Sequence, residues 1–240
     1  MTNLPTEQEL TKAIESFLKR NSVQLKDLGN ELPQLFEIAS FNLMVDLYDK
    51  MGYKTEPANL QNGEFCYKLQ PNGLKNNFSW FEVSRRYYGK LHQYELHENL
   101  SVQVAGTEDC FLHPDVVVIK KDTAEKLPNS KILVHFNEYW YVKNKNLKTF
   151  LEAKYLKPFP ELLLNFPGML MALRPNNKNY AKIKRAPRHV APLFMLAGIA
   201  NDHSKRISNF ITEKYHINLV FSSLKISKAN MKKVKKIKLT

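Results

Sequence analysis

The chain reads as an α/β protein: a mixed central sheet flanked by helices, with an N-terminal helix and added β-hairpins. Three observations predict this. The patterns run in the order helix, several strands, helix, strand, helix, strand. The last strand, helix and strand are joined by a single crossover, which implies a parallel, right-handed unit. Asn62-Gly63 and Asn72-Gly73 are hairpin signals, which imply antiparallel pairing earlier in the chain. A length of 240 residues suits one large domain, or one domain with an appendage, and can bury a real core.

Thr6-Glu7-Gln8-Glu9 has the form of a capping box, so a helix begins there and runs to about Lys19. Leu10, Ile14, Phe17 and Leu18 form its apolar stripe, and residues 1–30 read as an N-terminal extension of the core. A second helix spans Glu31 to Met51 and stops at Gly52, which suits a C′ position. Phe41, Met44, Val45 and Tyr48 share one face of it. Glu37 lies on that face one turn earlier, either as a carboxylate directed at a site or as the polar edge of the stripe.

From Tyr53 to Gly106 the signals are β. Glu64 to Leu69 alternates as a short strand, and Asn77–Ser84 and Gln93–Ala105 read as further strands of a meander. Trp80, Phe81, Arg85, Arg86, Tyr87, Tyr88 and Lys90 mix aromatics with bases, so Arg85 and Arg86 are candidate nucleic-acid contacts; more often such aromatics pack a sheet face. Glu95 and Glu98 could face the same place as the acids discussed below. Acids are common on strand edges, and neither is counted among the candidates.

Val116 to Ile119 is a buried strand entered through Asp115. Asp122 to Ser130 reads as a loop, Lys131 to Val142 as a β-prone insertion, and Asn144-Lys145-Asn146 as a turn into a strand from Thr149 to Leu156. Pro158 and Pro160 end that strand. Glu161 to Leu173 is an apolar helix in which Pro167-Gly168 implies either a kink or two short helices. Pro192–Ile199 is a strand, Asn201-Asp202 caps a helix to about Tyr215, and Ile217–Phe221 is a final strand.

Chemistry concentrates on the two strands that carry Asp115 and Glu152. A period of two puts Glu152 and Lys154 on one face of their strand and Leu151, Ala153 and Tyr155 on the other. If the strands pair, two carboxylates and an ammonium converge. Hard carboxylate oxygens brought together repel unless a cation such as Mg²⁺ joins them. An adjacent ammonium can orient or deprotonate water and neutralise charge on a phosphate.

Pro114-Asp115 followed by Glu152-Ala153-Lys154 resembles the PD-(D/E)xK signature of the restriction-endonuclease-like nuclease superfamily. The chain has no other Pro-Asp and no other Asp/Glu-x-Lys. The order of elements across roughly residues 31–224 is similar to that superfamily's core. The resemblance implies a restriction-endonuclease-like fold, a metal (Mg²⁺ or Mn²⁺) held by Asp115 and Glu152 with help from the Ala153 carbonyl, and Lys154 as the catalytic lysine. Helices that open such folds often carry a Glu reaching the metal, which makes Glu37 a further candidate ligand. The long separation of the two halves leaves room for an extra hairpin, so the residues alone leave open whether the strands pair directly.

The formal net charge is +13. It sits in two stretches without acids: 174–190, with Lys182, Lys184, Arg185 and Arg188, and a C-terminal tail, 225–240, with Lys232, Lys233, Lys235 and Lys236. Such concentrated charge attracts a polyanion. The expectation is a metal-dependent endonuclease acting on double-stranded DNA, in restriction, antiviral defence or repair, alone, as a homodimer or with a separately encoded partner. The alternative is an inactive nuclease-like fold that binds nucleic acid or a partner protein. No apolar run is long enough for a membrane helix, the N-terminus lacks the pattern of a secretory signal, and Cys66 and Cys110 form no CxxC pair. A cytoplasmic, reduced protein is therefore expected. Gly-rich phosphate loops, nucleophile elbows and zincin histidine pairs are absent from the sequence.

Overall fold

The capping box forms as expected. The Glu9 amide donates to the Thr6 hydroxyl while the Thr6 amide donates to the Glu9 carboxylate, and these bonds start α1 (Glu7–Arg20). The computed structural model describes residues 4–26, 31–126, 140–173, 187–222 and 233–238. After α1 come β1 (Gln24–Leu25), α2 (Leu32–Lys50), β2 (Lys54–Ala58), β3 (Glu64–Phe65), β4 (Trp80–Tyr87), β5 (Lys90–Glu98), β6 (Ser101–Gln103) and β7 (Phe111–Leu112). Then follow β8 (Val116–Lys120), β9 (Ala124–Lys126), β10 (Trp140–Val142), β11 (Leu147–Lys154), α3 (Pro160–Leu173) and β12 (Arg188–Val190). The chain closes with β13 (Leu193–Leu196), α4 (Asp202–Tyr215), β14 (Asn218–Phe221) and β15 (Lys236–Lys238).

Seven strands form a mixed sheet in the order β14-β13-β11-β8-β5-β4-β2. The strands β2, β4, β5 and β8 pair antiparallel throughout; a tight turn joins β4 to β5, while β3 lies in the connection before β4 and β6 and β7 in the one after β5. β11, β13 and β14 are parallel, because helices return the chain to the same edge between them. Val116 to Ile119 are wholly shielded from solvent, as befits a central strand covered on both faces. Val116 and Val118 pack with α1 and α2, whereas Val117 and Ile119 pack with α3 and α4.

α1 packs along α2, and its Leu10, Ile14, Phe17 and Leu18 enter the same core, where Phe17 meets Phe81 of β4 edge-on at 5.6 Å. α1 is thus built into the core rather than attached to it. Packed against both α1 and the sheet, α2 buries residues all round and not along one stripe. Pro167 is accommodated within a single helix, α3.

Two strand expectations shorten. The strand predicted over Glu64–Leu69 stops at Phe65, because Lys68 turns inward and donates to the carbonyls of Pro71 and Asn99. Gln93–Ala105 breaks at Asn99, which has φ 47, so β5 stays in the main sheet while β6 leaves it. β6 joins a small sheet of order β7-β6-β10-β9, which absorbs the described part of the insertion after β8. Of the segment expected as a tail, β15 pairs antiparallel with β12 and buries Ile237. Among the described residues no helix is long and apolar enough to cross a membrane.

Candidate active site

β8 and β11 pair directly and antiparallel, with Val118 opposite Thr149, Val117 opposite Phe150 and Val116 opposite Leu151. One step further, Asp115 lies opposite Glu152. The Ala153 amide donates to Asp115 Oδ2 at 2.6 Å. Lys154 Nζ lies 2.6 Å from Glu152 Oε1 and 3.6 Å from Asp115 Oδ2. Asp115 and Glu152 are buried, while the Lys154 side chain remains 36% exposed and marks the mouth of the site.

The far end of β11 is held in place from β13. The Ala197 amide donates to the Lys154 carbonyl at 3.1 Å and the Gly198 amide to the Leu156 carbonyl at 3.1 Å. A Cβ on Gly198 would lie 2.7 Å from Lys157 Cα, so the chain after Lys154 can turn here only past a glycine. At the other side, the Asn99 amide donates to the Asp115 carbonyl at 2.9 Å, which ties the entrance of β8 to the end of β5.

Glu37 and Glu98 complete an acidic cluster. Burial, followed by the charge of Asp115, raises the Glu37 carboxyl to about 7, with Lys154 opposing. Glu98 is the last residue of β5, stands opposite Val116 and is 3% exposed. Burial first, then the charges of Glu37 and Asp115, push its carboxyl well above the ordinary range. The Lys68 backbone amide lies close enough to oppose this, yet neither Glu98 oxygen accepts a hydrogen bond of good geometry. Glu152 is raised to about 7 by burial and by Asp115, against Lys154. Asp115 is raised by burial, against Lys154 and the Ala153 amide. Burial lowers the Lys154 pKa, but Asp115, Glu152 and Glu37 outweigh it and keep this group an ammonium.

Asp115, Glu152 and Glu37 therefore surround one ammonium, and Glu98 behind them has Lys68 as its cation; burial lowers the Lys68 pKa to about 8, against Glu98. Glu152 Oε2 and both Glu98 oxygens are buried and lack hydrogen-bond partners. Buried acceptors of this kind need a proton, a water or a cation. Among the described residues no three His, Cys, Asp or Glu side chains come together so that they could hold a metal ion, so Glu37 and Glu98 are not gathered with Asp115 and Glu152 as a ligand set. Mg²⁺ does not require such a set, since one or two carboxylates, waters and substrate oxygens complete its shell. The donor set of Asp115, Glu152 and the Ala153 main chain fits such an ion.

Glu98 was legible as an acid on the right strand but not as a member of the cluster. Glu95 and Glu98 are an odd number of residues apart, so they leave β5 on opposite faces. Glu95 turns to Lys75 at 2.8 Å and His97 at 2.7 Å. Burial raises its pKa, but these two partners outweigh burial and hold it at about 2. His113, next to the Pro-Asp, shares a hydrogen bond of 3.0 Å with Ser101.

The described basic candidates lie elsewhere. Arg85 and Arg86 stand opposite His92 and Leu91, roughly 20 Å along β5 from Glu98 at the usual rise per residue. The Arg85 guanidinium donates to the Met51 carbonyl at 2.8 Å and lies over the Tyr53 ring, so it serves the end of α2. Arg86 is exposed. Arg188 is exposed on β12 and its carbonyl accepts from the Tyr53 hydroxyl, which places it at the same end as Arg85. Lys236 pairs opposite Val190, Lys235 donates to the Thr212 carbonyl and Lys233 is exposed. Lys182, Lys184, Arg185 and Lys232 lie outside the described residues.

Comparison with protein-family models, with curated proteins and with solved structures finds no match for the chain.

Proposed function

We propose that the chain is a metal-dependent nuclease that hydrolyses phosphodiester bonds of DNA. The observation that carries this reading is the convergence of Asp115 and Glu152, opposite one another on adjacent strands, on the Lys154 ammonium at 3.6 and 2.6 Å. Asp115, Glu152 and the Ala153 carbonyl would hold Mg²⁺ or Mn²⁺, with Glu37 and Glu98 behind them. A bound divalent ion supplies Lewis acidity toward a phosphate oxygen and lowers the pKa of water. The residues do the rest. Lys154, charged and half-open to solvent, donates to a non-bridging phosphate oxygen or orients the attacking water. The Ala153 amide holds the Asp115 carboxylate in one orientation. The closely packed strand ends limit solvent access, which strengthens each electrostatic contact.

A non-catalytic nucleic-acid-binding or partner-binding role is the second reading, favoured by one observation: Arg85, Arg86 and Arg188 gather at the end of the sheet remote from the carboxylates. Incubating supercoiled plasmid, linear duplex and RNA with Mg²⁺ or Mn²⁺ separates the two. Cutting by the wild type that Asp115→Ala and Lys154→Ala both lose supports the hydrolase. Binding without cutting on every substrate supports the second reading.

A further inference from the structure

We infer that a cavity beside the carboxylate cluster receives a single unpaired nucleobase of the strand whose phosphate lies at Asp115, Glu152 and Lys154. This rests on the nuclease reading and adds to it a substrate class, a strand with an extrahelical or unpaired nucleotide.

The cavity has a volume of about 400 Å³ and is lined by Lys26, Gln34, Tyr67, Gln70, Asn72 and Phe78. It adjoins the cluster through two elements. Gln34 precedes Glu37 by three residues on α2, so both lie on one face a turn apart. Tyr67 precedes Lys68, whose ammonium donates to the Asn99 carbonyl immediately after Glu98.

The walls are fixed before any ligand enters. The Tyr67 hydroxyl donates to Asn42 Oδ1 at 2.7 Å, and its ring meets Phe41 edge-on at 5.7 Å. The Phe78 carbonyl accepts from Asn59 Nδ2 at 2.7 Å. Its ring lies so close to Gly73 that a Cβ there would stand 2.9 Å from Phe78 Cε2. A preset aromatic wall costs little ordering when a flat ligand stacks on it.

The lining chemistry selects the class of ligand. Three side-chain amides each offer a donor and an acceptor, which is the pattern that pairs with a base edge. An aromatic ring beside them supplies stacking to any base. Lys26, an exposed residue of the lining, suits a neighbouring phosphate. Inside a duplex the Watson–Crick edge is already paired and both ring faces are stacked, so only a nucleotide out of the stack can enter the cavity, lie against the Phe78 ring and offer that edge to the amides.

The test is binding by fluorescence anisotropy in the Lys154→Ala background with Mg²⁺, where a strand is held without turnover. The probes are a perfect duplex, the same duplex with one unpaired nucleotide, one with an abasic site at that position, and free nucleoside monophosphates as competitors. The unpaired-base duplex is expected to bind roughly tenfold tighter than the other two. Asn72→Ala and Gln34→Ala, singly and together, are expected to remove that preference without lowering Tm; Phe78→Ala is the stronger but riskier variant. Equal affinity for the three duplexes overturns the inference. So does a monophosphate that occupies the cavity, as read by its loss in the Asn72 variant, while the duplex preference persists. Cutting of perfect duplex by the wild type with no preference leaves the hydrolase standing and removes the base site. A preference without cutting does the reverse.

Discussion

The Ala153 amide and the Asp115 carboxylate are joined across neighbouring strands by a hydrogen bond of 2.6 Å. Through that bond the backbone between Glu152 and Lys154 sets the orientation of the acid on the adjacent strand. The two halves of the motif are thus one rigid piece, and disturbing either is expected to affect both.

Asp115→Ala and Lys154→Ala are each expected to lower the rate of Mg²⁺-dependent cleavage by about a hundredfold or more, the usual cost of removing a charge-stabilising group. Circular dichroism should show an intact fold in both. Plasmid nicking at saturating Mg²⁺ is the measurement, and retention of wild-type rates would remove these residues from the chemistry.

Glu98→Gln is expected to stabilise the metal-free protein, because it takes a buried acid, whose charge burial, Glu37 and Asp115 together oppose more than Lys68 favours, out of an acidic cluster. A gain of about 1 kcal/mol would appear as roughly 2 to 4 °C in Tm. The rise in Tm produced by Mg²⁺ should shrink in the same variant. A lower Tm without metal would mean that Glu98 is held by contacts rather than strained.

The raised pKa values of Glu37 and Glu152, about 7 each, give a pH dependence. Between the ordinary carboxyl value and about 7 the folded state binds more protons than the unfolded state, so metal-free stability falls as pH rises through that window and levels off above it. Metal affinity runs the other way, because the ligands must lose their protons. Thermal melts from pH 5 to 8, with and without Mg²⁺, should therefore diverge as pH increases. Parallel curves would contradict the assignment of Glu152 as a ligand.

Gly198→Ala places a methyl group 2.7 Å from the Lys157 backbone, and that contact cannot relax by a rotamer change. Overpacking of this kind costs about 1 to 3 kcal/mol. The displaced segment follows directly on Lys154, so cleavage should fall along with Tm, and a silent substitution would show that the turn is free to move.

Arg85→Ala and Arg86→Ala should separate support from contact. Loss of Arg85 removes a hydrogen bond to the Met51 carbonyl and a guanidinium over Tyr53, and is expected to cost about 1 kcal/mol, read as a lower Tm. Arg86 is exposed, and its loss should leave Tm unchanged. Equal melting temperatures for the two variants would show that Arg85 does not hold the helix end.

Local signals in the sequence determined most of the elements. The capping box at Thr6 and Glu9, the Asn201 cap and the apolar run after Asp115 act through neighbours in the chain, so they could be read without a fold. The pairing of Glu152 and Lys154 on one strand face followed from a period of two. Tertiary structure alone decided three things. It paired β8 directly with β11 and placed the described parts of the intervening insertion, β9 and β10, in a second sheet. It brought Glu98 rather than Glu95 into the cluster, because Asn99 ends β5 just where Glu98 faces Glu37 and Asp115. It also placed Arg85, Arg86 and Arg188 away from the acids. Charge along a chain says what is attracted, but the distance between two charged groups depends on strand order and register, which long-range packing sets.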